Sequence, residues 1–294
     1  MAENIAQYDL HLHTHWSYDA MALVEDYFKL ARENKLRAFS ITDHHTMDAY
    51  GDVAECIRKY PDVPFISGAE LTVHSPAGTF DMVCLGMPME ETPELAEVFE
   101  TYRQWQRDYG ASISNNLVRL GFDFDHQERL DVLKSYRPKH IIEKQGNTHV
   151  RAGTLLQAVI DRGFVKDAEG WKQLRTKFVD TPHYPEYDYV LPRVRRAGGL
   201  IFIAHPYGYF RRFDTARIDE LRELLGFDGI ECGHPDVPQE AADFYREYCV
   251  KHRLLSTGGS DCHQISTTEP GHFAFACHSG KPEWLDEILE RLSK

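Results

Sequence analysis

Asp9-Leu10-His11-Leu12-His13-Thr14-His15-Trp16-Ser17-Tyr18-Asp19 is the stretch on which the fold turns. Residues 8–13 alternate, with apolar Leu10 and Leu12 flanking the histidines, and this predicts a short strand. Side chains two apart on a strand share a face. His11 and His13 therefore aim two imidazoles at one point, the arrangement that grips a metal ion, and the polar loop beyond delivers Asp19. Two histidines on one strand face also arise by chance, so the pair gains meaning only from the rest of the chain.

Four later stretches repeat the pattern. Residues 37–42 read as a strand ending in Asp43-His44-His45. Residues 65–67 lead through Gly68-Ala69 to Glu70. The apolar run 200–204 stops at His205-Pro206, and 254–257 runs into Gly258-Gly259-Ser260-Asp261-Cys262-His263. Any one of these histidines alone reads equally well as a satisfied core or loop residue. Ligand-type residues at the C-terminal ends of several strands are the signature of an α/β-barrel active site.

These motifs resemble those of the PHP (polymerase and histidinol phosphatase) family, in the family's order: His11-x-His13 with Asp19, Thr42-Asp43-His44, Glu70, Ala204-His205-Pro206 and Gly259-Ser260-Asp261-x-His263. Within it the chain is most similar to bacterial small-molecule phosphoesterases with a helical insertion, of the kind acting on AMP, nucleoside 3′,5′-bisphosphates or cyclic ribose phosphates. The resemblance implies a distorted (β/α)7 barrel holding two or three divalent ions of manganese, iron or zinc. It implies that His11 and His13 bind the first ion, that Glu70 bridges two, and that Asp261 completes the first site. His205 matches a ligand of the second ion, and Asp19, His44 and His263 match those of a third. Glu70, His205 and Asp261 are thereby the catalytic candidates.

One position departs from the family. A histidine usually completes the second site from the strand after the glutamate, and the alignment puts Asp81 there, ahead of its rival His74 on a Ser-Pro-Ala-Gly turn. A carboxylate is harder than an imidazole and shifts preference towards manganese or iron. Asp9 and Asp43, each beside a ligand, are candidates for orienting imidazoles, with turn polarity the equal alternative. For the substrate phosphate the candidates are His149 and Arg151, in Asn147-Thr148-His149-Val150-Arg151 before a helix, and His234 after a strand. Asn147 stands where related chains often carry a basic residue.

The implied chemistry is hydrolysis of a small phosphate ester, a nucleotide or sugar phosphate, as monoester or cyclic diester, by a metal-bridging hydroxide. The rivals are a PHP-type exonuclease on oligonucleotides and a metal-bound interaction module without activity. A net charge of −13 over 294 residues argues against a broad grip on nucleic acid. It does not argue against a small anion, because bound cations invert the local sign. No apolar run reaches membrane-spanning length and no signal peptide opens the chain. Cys56, Cys84, Cys232, Cys249, Cys262 and Cys277 form no CxxC, and reduced thiols in a cytoplasmic protein are the expectation.

Helical spacing over 23–34 and 47–60, alternating with strands at 37–42, 65–73 and 80–86, predicts parallel strands with helices outside. That rhythm then breaks. Long helical spacing over 91–120, an interruption at Gly121-Phe122-Asp123-Phe124, and helices near 126–134, 151–162 and 168–178 mark an inserted subdomain. The organisation expected is barrel over 1–94, helical insertion over 95–185 and barrel again over 186–294, the insertion roofing the mouth and limiting the site to small substrates. Tyr102, Trp105 and Tyr109 fall at helical spacing and read as insertion core, and Arg193, Arg195 and Arg196 as a solvated helix face. After 187 the rhythm resumes with strands at 200–204, 229–232, 254–257 and 271–277, helices near 215–225 and 239–252, and a closing helix over 282–292.

Overall fold

The computed structural model describes residues 5–265 and 273–294. The chain divides into two compact units, residues 1–99 with 185–294, and residues 100–184. In the first unit, strands β1 (Tyr8–Asp9), β2 (Ala38–Ile41), β3 (Phe65–Ser75), β4 (Gly78–Leu85), β5 (Leu200–Ile203), β6 (Gly229–Gly233) and β7 (Leu255–Gly258) pair in chain order. The last strand reaches back to the first through Leu10 N to Gly258 O at 3.2 Å, Asp261 N to His11 O at 2.8 Å and His13 N to Cys262 O at 3.0 Å. These bonds, with a parallel bridge between Leu12 and Cys262, close a distorted seven-stranded α/β barrel.

Gly259 permits the closure. A Cβ there would lie 2.2 Å from the His11 Cβ and 2.6 Å from the His11 nitrogen, so only glycine lets the two backbones meet. The barrel interior is apolar below the site, built from Tyr8, Leu10, Ala38, Ile66, Val83, Leu85, Phe202, Ala204 and Leu255.

The helices of this unit include α1 (Val24–Glu33) and α2 (Tyr50–Lys59), then, after the strands of the hairpin, the start of α3 (Pro93–Arg119). The second unit holds the rest of α3 with α4 (His126–Tyr136), α5 (Lys139–Gln145), α6 (Ala152–Asp161) and α7 (Ala168–Arg175). Asp125 and Asp167 cap α4 and α7 by accepting from Glu128 N and Gly170 N at 2.9 and 2.8 Å. Their apolar faces meet in a core around Ile113, Leu117, Phe124, Leu133, Leu155, Val159 and Trp171. Tyr102 and Trp105 are buried, and Trp105 stacks on Tyr109 and Tyr184. Back in the first unit, α8 (Tyr187–Arg196), α9 (Thr215–Leu225), α10 (Gln239–His252) and α11 (Pro282–Leu292) complete the barrel, with Leu285 and Ile288 of α11 in the barrel's own core. Arg193, Arg195 and Arg196 pair at the surface with Glu97, Asp228 and Glu94.

Three local expectations are corrected. The first strand is only Tyr8–Asp9, and the backbone beyond it is held singly, by Thr42 N to Leu12 O at 2.8 Å and by the closing bonds. The fourth strand is antiparallel to both neighbours, because β3 and β4 form a hairpin over Pro76-Ala77, too short for a parallel crossover. No strand covers residues 273–277, and residues 271 and 272 of that expected strand lie outside the described residues.

Candidate metal centre

The ligand-type side chains of the barrel converge on Glu70. This residue is 0% exposed and lies within β3. Its Oε2 is 3.2 Å from His11 Nε2, 3.3 Å from His13 Nε2 and 3.0 Å from His44 Nδ1. Its Oε1 is 3.1 Å from His205 Nε2. The donor atoms fall into three groups: His11, His13, Glu70 and Asp261; Glu70, Asp81 and His205; and His13, His44 and His263. Asp19 borders the third through Oδ2, 3.4 Å from His44 Nε2 and 3.5 Å from His263 Nε2. Asp261 Oδ1 lies 3.1 Å from His13 Nε2 and 3.5 Å from His11 Nε2.

Pleating explains how Asp81 arrives from a strand that runs the other way. Asp81 pairs directly with Thr72, and Thr72 shares a face with Glu70 two residues earlier. His74 is one further step along the same strand, opposite Thr79, and belongs to none of the three groups. Backbone strain also marks the site: His205 has φ +28° and Asp261 φ +54°, in the region that L-residues avoid.

The groups fit divalent cations. Among the described residues, His11 Nε2, His13 Nε2, His44 Nδ1, Glu70 Oε2 and Asp19 Oδ1 are all buried and make no hydrogen bond, although the three imidazole nitrogens crowd Glu70 Oε2. Buried polar atoms are otherwise almost always paired. Without a cation, charge is balanced by protons. Burial alone would push the His11 imidazole down, but the carboxylates of Glu231, Glu70 and Asp261 outweigh it and hold it well above its ordinary value. The same contest lifts His205 to about 9, with Glu70, Asp81 and Asp261 prevailing over burial. Burial would raise the carboxyls of Glu70, Asp261 and Asp19, and the facing imidazoles instead hold all three well below the usual range.

Several supports carried no sequence signal strong enough to be noticed. Glu231, 1% exposed in β6, accepts from His11 Nδ1 at 2.9 Å through Oε1 and from the His205 backbone N–H at 2.7 Å through Oε2. It thus turns the His11 Nε2 lone pair inwards and braces the strained His205. Ser17 Oγ lies 3.2 Å from His13 Nδ1 and accepts from His44 N at 2.8 Å. Tyr209 donates to Asp81 Oδ2 at 2.6 Å, and burial with that carboxylate pushes its phenol well up, so it stays a donor.

Asp9 and Asp43 brace backbone rather than imidazoles. Asp9 accepts from Ser260 N, Ser260 Oγ and Ala276 N, and Asp43 from Thr14 N and Thr14 Oγ1. Cys262 is buried with its thiol donating to Gln264 O, away from the ligand groups. His234 is 2% exposed and its Nδ1 accepts from Asp236 N at 3.0 Å. Its Nε2 therefore carries the proton, 3.5 Å from Asp261 Oδ2. A cavity of about 440 Å3 opens there, lined by His205, Tyr207, Gly208, His234, Asp236 and Asp261. His149 and Arg151 belong to the second unit. His149 is buried edge-on to Trp105 and Tyr109, and Arg151 lies over the Tyr136 ring with its Nε donating to Thr154 Oγ1.

Fold and site together define a metal-dependent hydrolase of phosphate esters. The chain belongs to the PHP domain family, whose model matches residues 9–182. The match takes in the motifs from His11 to Asp81 and stops before His205, Asp261 and His263. Among curated proteins, a phosphoribosyl 1,2-cyclic phosphate 1,2-diphosphodiesterase of Eggerthella lenta is 25% identical over 269 residues, covering 87% of this chain and 93% of its own. Two solved structures share the fold. A proposed metal-dependent phosphoesterase of Bifidobacterium adolescentis superposes with a TM-score of 0.72 at 22% identity, covering 97% of this chain and 96% of its own. An amidohydrolase of Chromobacterium violaceum, solved with sulfate and no metal, gives 0.70 at 20% identity and covers 97% of each chain.

Proposed function

We propose that this chain hydrolyses a small phosphate ester, a nucleotide or sugar phosphate, as a monoester or a small cyclic diester. One observation carries the reading: a single buried carboxylate, Glu70, offers Oε1 to His205 and Oε2 to His11, His13 and His44. A carboxylate so placed would let two cations be held close enough to act on one phosphate. The relative from Eggerthella lenta is named for a cyclic ribose phosphate, which supports the substrate class.

In this reading His11, His13, Glu70 and Asp261 hold a first cation, Glu70, Asp81 and His205 a second, and His44 and His263 with Asp19 a third. Divalent cations held there would supply Lewis acidity for activating water and would neutralise the phosphate. The chain's own contribution is orientation. Glu231 fixes His11 and His205, Ser17 fixes His13, and Asp9 and Asp43 fix the loops carrying Ser260 and Thr14. His234 presents an N–H donor at the wall of the cavity, placed for a phosphate oxygen. His149 and Arg151 are proposed as further phosphate contacts. Manganese-loaded protein assayed against a panel of phosphate esters tests the reading. Turnover of a mononucleotide, sugar phosphate or cyclic ribose phosphate is expected. Degradation of long single-stranded DNA at a comparable rate would replace it with the nuclease reading, and no turnover of any ester would leave only a metal-bound module.

A further inference from the structure

Asp81 stands where the family's motif has an imidazole, and a short carboxylate on a hairpin needs something to hold it still. Its two oxygens are each taken once. Thr72 Oγ1 donates to Oδ1 and Tyr209 Oη donates to Oδ2, both at 2.6 Å. The Thr72 hydroxyl has spent its only proton on Asp81, so at 2.9 Å from His45 Nε2 it acts as acceptor and His45 as donor. His45 is 1% exposed, has φ +61°, and reaches Thr72 where its neighbour His44 reaches Glu70. We propose that His45, Thr72 and Tyr209 form a support that holds Asp81 in the orientation a cation between Glu70 and His205 requires, so that the adjacent histidines 44 and 45 serve two different ligand groups.

The inference rests on the reading of Asp81 as a ligand and adds three positioning residues to it. A carboxylate with each oxygen engaged by its own donor cannot rotate about its last torsion without breaking a bond. So held, its Oδ2 lies 3.7 Å from His205 Nε2, in the group that also contains Glu70. Imidazole at this position would be fixed by a single bond to its second nitrogen; the carboxylate needs two, which is what Thr72 and Tyr209 provide.

The test is the number of ions held, not turnover. Tyr209→Phe and Thr72→Val each remove one hydroxyl at nearly constant shape. Full-length protein is equilibrated at graded free manganese, its bound metal counted by elemental analysis, and its fold checked by thermal melting. Each variant is expected to weaken one ion by about 10- to 100-fold and leave the others unchanged, the usual effect of removing a ligand's support. Asp81→Ala is expected to lose that ion altogether. Wild-type manganese binding by both hydroxyl variants, with Asp81→Ala losing an ion, would overturn the inference while leaving Asp81 a ligand. Retention of every ion by Asp81→Ala would overturn the ligand assignment and the support together. Phosphoester turnover by the wild type, measured separately, decides the broader reading whichever result appears.

Discussion

Glu231→Gln is the perturbation that most directly measures how the centre is held. In the native chain one buried carboxylate accepts from two donors, His11 Nδ1 at 2.9 Å and His205 N at 2.7 Å. The amide is nearly isosteric but has one acceptor oxygen, and its NH2 group must face one of those two N–H groups. One charge-assisted hydrogen bond is lost, worth about 1.5–3 kcal/mol. At about 1.4 kcal/mol per factor of ten, that is a loss of roughly 10- to 150-fold. It should fall on metal affinity, because His11 and His205 belong to different ligand groups that share only Glu70. Chelator-competition titration with manganese reads it directly, and turnover at saturating manganese should recover most of the wild-type kcat. Affinity within threefold of wild type, in a variant that melts normally, would refute the claim that Glu231 orients the ligands.

Metal uptake should also depend on pH in a defined direction. His205 holds its proton up to about 9 in the cation-free protein, and a cation must displace it. Apparent affinity is therefore expected to rise with pH, about tenfold per unit for each proton released, and to flatten above that range; a fall on raising pH from 6 to 8 would contradict it. Gly259→Ala should cost about 1–3 kcal/mol in denaturant unfolding and lose the first ion, because the new methyl would overlap His11. His74→Ala should retain every ion that Asp81→Ala fails to hold, as counted by elemental analysis. For the proposed phosphate contact, His149→Ala should leave metal content unchanged and cut kcat/KM by about 10- to 100-fold, as loss of a charge-assisted hydrogen bond would. Loss of metal from that variant would make His149 a ligand instead.

The candidate ligands were legible because the chemistry demands rare residue types at places where strands end. His11, His44, His205 and Asp261 each interrupt an apolar run, and that contrast survives without any knowledge of the partners. Their supports were not legible for the opposite reason. Glu231 is a lone carboxylate inside a buried strand, 220 positions from His11, and nothing local says what it bonds. Its signal, a charge where β6 is otherwise sealed from solvent, reads only as an anomaly until the fold closes. The direction of β4 is misread from the rhythm of the chain despite a clear local cue. Only Pro76 and Ala77 separate the two strands, and no helix can fit between them. The preceding βαβ rhythm outweighs a turn that permits only a hairpin. The short β1 and the positive φ of His205 and Asp261 depend on how distant strands meet, which is not a property of neighbouring residues.

The seam at Gly259 has a consequence for biosynthesis. The backbone carrying His11 is completed by Gly258, Asp261 and Cys262, which are made only after the other strands of the barrel. A nascent chain that stops before Gly258 lacks both the wall against which His11 rests and the carboxylate of Asp261, and closing so long a loop offers no reward until both are present. The early motif must therefore wait while the other strands of the barrel are translated. Ribosome-stalled chains ending before and after residue 263 should accordingly differ in an all-or-none manner in retaining a cation, which makes metal capture a timer for completion of the barrel.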